Sequence, residues 1–208
     1  MKEPVFRIDI SGATSQVREL VSGIQHFPKQ SSAAIARAVN RTLESVRTEA
    51  VRIGQQKYTA KTESLRKRAT IKRARNDYPI GVLDVRGRKG LSLFNFRPSP
   101  RAVPNWKGVP VRKRRPKAGV SSLVKKGGRR KVYGGPGASK PFLMKTDSGH
   151  TGIFVRRNKK IEMLYGPSPI QALGGQESRE RLQKKADETF TKRLQHEVER
   201  VVNTAFGK

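Results

Sequence analysis

The chain contains no cysteine, which excludes a disulfide frame, a thiol nucleophile and thiolate zinc sites. Negative charge is scarce, with 16 Asp+Glu against 46 Lys+Arg. Aromatic residues make up only 6%, and the histidines are three: His26, His150 and His196. No apolar run approaches the roughly 18 residues that a spanning helix needs. The opening Met1–Asp9 stretch lacks the apolar centre of a secretory signal. A soluble chain made inside the cell is therefore expected. Apolar residues reach 34%, or about 43% with the 19 glycines counted, against roughly 45–50% for an ordinary domain. That composition allows a core but leaves part of the chain outside it.

Positive charge is what the chain has in excess, and it is concentrated. Residues 1–60 carry a net +4, residues 61–160 a net +25 and residues 161–208 a net +1, within a total of +30. A centre of that density repels itself unless phosphates or acidic protein surfaces neutralise it. An anionic partner is the first functional inference. Charge alone does not choose between nucleic acid and protein.

Hydrophobic periodicity sets the elements. Val5–Ile10 alternates as a strand, and Ser15–Ile24 suits a short helix closed by Pro28. Ser31 or Ser32 can cap a long helix whose stripe is Ile35, Val39, Leu43, Val46, Ala50 and Ile53. A shorter helix follows at Lys61–Lys67. Strands are read at Ala69–Ala74, Ile80–Val85 and Leu91–Phe96, the first two divided by the turn Asn76-Asp77-Tyr78-Pro79. Further strands are read at Phe142–Met144, Thr151–Arg156 and Ile161–Tyr165. Ser168-Pro169-Ile170-Gln171 is a capping box with proline at the first helical position. A second long helix runs from Glu177 to about Ala205, with Leu182, Ala186, Phe190, Leu194, Val198, Val201 and Ala205 on its stripe.

The expected class is α+β: an antiparallel β-sheet packed by two long amphipathic helices, at about 31–58 and 177–205. At 208 residues the chain fits a single domain, 1–208, with residues 97–140 as an inserted basic arm rich in proline and glycine. Within that arm, Val120–Lys126 and Arg130–Tyr133 can pair as a hairpin across Gly127-Gly128.

The reactive residue types do not fall in a catalytic pattern. His26 and His196 read as surface or packing residues. Asp147-Ser148-Gly149-His150 holds the three residue types of a hydrolytic triad, but triad members converge from distant segments, so a structural turn is the better reading. No histidine pair or acidic cluster supplies a metal site, and no cofactor is implied. Gly134–Lys140 lacks the Gly-Lys-Ser/Thr of a phosphate-cradling loop. The binding candidates are basic: Arg66, Lys67 and Arg68; Lys72 and Arg73; Arg112, Lys113, Arg114 and Arg115; Lys125 and Lys126; Arg129, Arg130 and Lys131; Arg156 and Arg157. Such clusters give strong, salt-dependent, sequence-indifferent phosphate binding, or dock on acidic surfaces. Base-specific readers interleave aromatics with charge, and here Trp106 and Tyr133 are the only ones near the densest clusters.

Three stretches carry a resemblance. They are Lys57-Tyr58-Thr59 running on to Ser64–Ala74, Ser148-Gly149-His150-Thr151-Gly152-Ile153-Phe154-Val155-Arg156-Arg157, and Leu164-Tyr165-Gly166-Pro167-Ser168 with the terminal Lys192–Glu197 segment. In order and spacing they resemble the minor tail protein Z family of long-tailed bacteriophages and prophages, the tail completion proteins. Residues 97–140 correspond least. The resemblance implies no catalysis. It implies a virion protein of the head-proximal neck of the tail, assembled in the host bacterial cytoplasm and without membrane association. It further implies partners: other copies of itself in a ring (hexameric by analogy with the six-fold tail tube), tail tube or tail terminator proteins, head completion or connector proteins, and the viral DNA end. Ser148, Gly149, His150, Gly152, Tyr165, Gly166 and Pro167 are then structural turns. The alternative is a non-viral basic nucleic-acid-binding protein of ribosome or nucleoid.

Overall fold

The computed structural model describes residues 6–8, 19, 22, 28–85, 90–103, 119–133, 137–173 and 175–207. In chain order its first elements are β1 (Phe6–Ile8), α1 (Pro28–Lys57), α2 (Thr62–Arg66), β2 (Ala69–Lys72), β3 (Gly81–Val85), a 3-10 turn (Leu93–Asn95) and β4 (Pro98–Ser99). There follow β5 (Ser121–Ser122), β6 (Lys131–Val132), β7 (Phe142–Lys145), β8 (Thr151–Arg157), β9 (Lys160–Met163), α3 (Pro169–Leu173) and α4 (Gln176–Ala205). The class is α+β, with both long helices where their periodicity puts them. The strands form three three-stranded antiparallel sheets, β1-β3-β2, β4-β5-β6 and β7-β8-β9. Contacts divide the chain into two compact units. The first comprises Met1–Ile53, Arg66–Arg86 and Leu173–Lys208, and the second Gly54–Leu65 and Gly87–Ala172. The helix read at Ser15–Ile24 lies outside the described residues apart from Glu19 and Ser22, as do His26, Trp106 and Arg112–Arg115.

The first unit is built on the α1 stripe. Ile35, Val39, Leu43, Val46, Ala50 and Ile53 are all buried, and Ala34 and Ala38 widen the apolar face. Helix α4 lies antiparallel along it, with Leu182, Ala186, Phe190, Leu194 and Val201 buried. Val201 packs on Ala34, with Val198 and Val202 beside it. Each such aliphatic or aromatic side chain contributes about 1.5–3 kcal/mol on leaving water. Two ion pairs fix the register of the helices, Arg37–Glu197 at 2.6 Å and Glu49–Arg181 at 2.6 Å. Strand β3 is the centre of its sheet and alternates, with Gly81, Leu83 and Val85 buried. A Cβ at Gly81 would stand 2.5 Å from Leu43 Cδ1 and 2.9 Å from Val39 Cγ1, so glycine is what lets α1 lie against this strand.

The second unit buries Leu91, Leu93, Phe96, Val120, Val124, Leu143, Ile153 and Val155. Phe142 and Phe154 stand opposite each other on β7 and β8, their rings stacked at 6.4 Å. The expected strand at Leu91–Phe96 is only half right. Leu91 and Leu93 do pair along Leu164–Pro167, through Gly166 N donating to Leu91 O and Leu93 N donating to Leu164 O. The chain then coils into the 3-10 turn, because the Ser92 hydroxyl accepts from Phe94 N and turns the backbone away. Residues 97–103 and 119–133 supply β4, β5 and β6, with Val120 and Ser122 buried, and the hairpin read across Gly127-Gly128 is the β5–β6 pair. The capping box also forms as read: Ser168 N donates to Gln171 Oε1 at 3.0 Å and Gln171 N donates to Ser168 Oγ at 3.1 Å.

Candidate nucleic-acid and docking interface

Carboxylates in the first unit gather arginines, and they do so in two different settings. Glu49 and Glu197 are buried, at 7% and 9% exposure, and each serves two guanidinium groups. Arg181 and Arg52 meet Glu49 at 2.6 and 3.3 Å, while Arg37 and Arg200 meet Glu197 at 2.6 and 3.6 Å. Both clusters lie between or along the long helices and hold them. Glu44 differs. Its side chain is 34% exposed and three arginines converge on it: Arg47 at 2.5 Å, Arg73 at 2.9 Å and Arg66 at 4.0 Å.

Local chemistry explains why Arg73 stands there. One turn before Glu44 on α1, the Asn40 amide grips the Ala74 peptide from both sides. Asn40 Nδ2 donates to Ala74 O at 2.9 Å, and Ala74 N donates to Asn40 Oδ1 at 2.8 Å. That clamp fixes the backbone between Arg73 and Arg75. Arg75 and Tyr78 then close the turn into β3 with reciprocal backbone bonds, and Arg75 pairs with Asp77 at 3.2 Å. Arg66, Lys67, Arg68, Lys72, Arg73 and Arg75 are all exposed, and Tyr78 is 54% exposed beside them.

In the second unit the basic residues sit on hairpins. Lys125 and Lys126 occupy the turn before Gly127, whose φ is +75°. Arg129, Arg130 and Lys131 follow on the way into β6, all exposed, and Arg130 Nη1 donates to the Arg97 carbonyl at 2.6 Å. Arg156 and Arg157 end β8, with Arg157 opposite Lys160 across a turn through Asn158. Ser139 is bonded to both Arg156 backbone groups, so Lys140 lies near this hairpin. Tyr133 is half-buried, and burial raises its pKa.

The Asp147–His150 turn joins β7 to β8. Thr146 holds it: Thr146 N donates to His150 O at 2.8 Å, and His150 N donates to Thr146 Oγ1 at 3.1 Å. Thr146 Oγ1 also meets Ser148 Oγ at 3.0 Å. Gly149 has a φ of +82°, the left-handed region that glycine accepts without a Cβ clash. Gly152 leaves room for the Phe154 ring, whose Cε2 would lie 2.9 Å from a Cβ there. Tyr165 bridges Ser92, and the lack of a side chain at Gly90 allows its approach to Gly166, whose carbonyl oxygen would lie 1.7 Å from a Cβ on Gly90. Pro167 accepts from Leu91 N. Lys57-Tyr58-Thr59 likewise pairs with the 123–126 segment: Thr59 N donates to Val124 O, Thr59 Oγ1 donates to Leu123 O, and Lys126 N donates to Lys57 O. These stretches are therefore seams and turns.

Among the described residues no group of three histidines, aspartates or glutamates could hold a metal ion. No described helix is long and apolar enough to cross a membrane. The described geometry is one of seams, turns and clustered basic surfaces. The chain belongs to the family described as prophage minor tail protein Z (GPZ), which matches residues 11–205. It is a structural protein of phage tails and so of the virion. No curated protein and no solved structure matches the chain. Of the residues singled out in the sequence, Arg66 and Arg73 meet at Glu44, and Arg156 and Arg157 lie with Lys140. Glu44, Asn40 and Thr146 were not anticipated, since each acts through partners that only the fold brings near.

Proposed function

We propose that this protein is a tail completion subunit: it sits at the head-proximal end of the tail, joins it to the head connector, and meets the DNA end there. It assembles as a ring of identical copies, and its partners are the tail tube or terminator below and head completion proteins above. The role is structural and uses no cofactor. What carries the reading is family membership over residues 11–205. It fits a surface where the buried acids are already engaged internally while most of the candidate lysines and arginines stand exposed. Positive charge left over in this way suits an anionic neighbour.

The deciding experiment is complementation. Tails are isolated from an induced prophage lacking this protein and mixed with heads, with and without the purified chain. Joining restored only by the purified chain is expected. Tails that join heads equally well without it would remove the completion role.

A further inference from the structure

The Glu44 cluster stands apart from the other basic groups in its charge, burial and partners. One carboxylate faces three guanidinium groups, so two positive charges remain uncompensated at fixed positions. Donors outnumber acceptors to the point that Arg47 Nε is buried without any acceptor. Arg66 and Arg73 are 56% and 64% exposed against 34% for Glu44, so their unused N–H groups face solvent over the carboxylate. Arginines held in this way lose less rotamer freedom when they bind, and their planar forks match the paired oxygens of a phosphate.

We infer that Arg66 and Arg73, both paired with Glu44 and the latter beside the Asn40–Ala74 clamp, form a preset phosphate-contact station for a nucleic-acid backbone. This rests on the proposed DNA contact and assigns it to particular residues. The surroundings favour nucleic acid over an acidic protein. A protein interface needs an apolar centre, whereas the exposed residues from Arg66 to Arg75 are charged apart from Thr70. Tyr78 is the large apolar side chain exposed next to them. A line of cations with one open aromatic ring suits phosphates and an unpaired base. By contrast, the groove lined by Lys29, Arg37 and Arg200 around Ala33 and Val201 has two of its three cations already tied to Glu197.

The test is the slope of log binding constant against log salt for a mixed-sequence DNA duplex with single-stranded ends. Each phosphate contact contributes about 0.9 to that slope on duplex DNA. Arg66→Ser with Arg73→Ser should lower it by about 1.8, while Arg66→Lys with Arg73→Lys should keep it. Lys192→Ser with Arg193→Ser, an equal loss of charge on the exposed face of α4, should leave it within about 0.5. An equal fall in both serine pairs would mean diffuse electrostatics and overturn the station. So would an unchanged slope with lost tail joining, which would make the cluster a protein-docking site. A wild-type protein with no salt-dependent DNA binding would remove the DNA contact itself. Protection from an arginine-selective dicarbonyl, read by mass spectrometry on the wild-type chain, needs no variant. DNA should shield Arg66 and Arg73 and spare Arg193, and the reverse pattern would overturn the assignment.

Discussion

Thr146 and His150 share one turn, yet only one of them holds it. The serine, aspartate and histidine of this turn attract attention because they are reactive residue types. In the fold, the His150 side chain is exposed and its backbone does the bonding, to Thr146 N and Oγ1. Thr146→Ala should therefore cost about 0.5–1 kcal/mol, the net worth of one or two solvent-reachable hydrogen bonds. His150→Ala should stay within about 0.5 kcal/mol of wild type, as surface substitutions do. Urea titration of both variants checks this, and a larger loss for His150→Ala would mean that the imidazole has a role the turn geometry does not give it. The same distinction applies to the acids. Glu49 and Glu197 are structural because they are buried and bind helix to helix. Glu44 keeps part of its surface in water, and Arg66 and Arg73 keep more, which is why the Glu44 cluster alone is given a binding role.

At the scale of elements, α1 organises the first unit by presenting two faces. Its apolar stripe meets α4 and β3, and its polar edge of Asn40, Glu44 and Arg47 positions the basic segment after α2. Gly81 is a point of close approach between helix and strand. Gly81→Ala would push a methyl group to 2.5 Å from Leu43 Cδ1, so the unit must shift to admit it. A loss of about 1–3 kcal/mol is expected, the usual cost of overpacking a filled core. The urea midpoint should fall with an unchanged slope, and an unaltered midpoint would show that α1 does not sit hard on β3. Which elements were legible follows from how local their causes are. Both long helices, the capping box at Ser168–Gln171 and the β5–β6 hairpin were readable, because each depends on neighbours a few residues away. Leu91–Phe96 was misread in its second half, since alternation there is ended by one serine hydroxyl that no periodicity rule contains. The Glu44 cluster and the Asn40 clamp were invisible, because they unite positions 22 to 34 residues apart through the fold. Of the candidate binding residues, the sequence identified the arginines but not the carboxylate that arranges them.

For the whole molecule, net charge bears on the proposed ring. Each copy carries +30, and a ring multiplies that charge at close range. Identical subunits of this kind repel one another, so association must depend on what screens them. At 0.15 M salt the screening length is about 8 Å, comparable with contact distances across an interface, and at 1 M it falls to about 3 Å. The proposed ring should therefore grow with salt, opposite to an assembly held by ion pairs between subunits. Light scattering of nuclease-treated protein should give a small species at low salt and a ring-sized one near 1 M. Replacing Arg112, Lys113, Arg114 and Arg115 by serine removes four of the positive charges, so the transition should move to lower salt. If those residues also contact phosphate, the salt slope of DNA binding should fall by about 3.6 for duplex DNA. A transition moved to lower salt with an unchanged DNA slope would put this cluster against a neighbouring subunit or ring. A monomer at every salt concentration would mean that the ring forms only on the tail end, which isolated tails added to the scattering cell would reveal as a gain in bound mass that saturates.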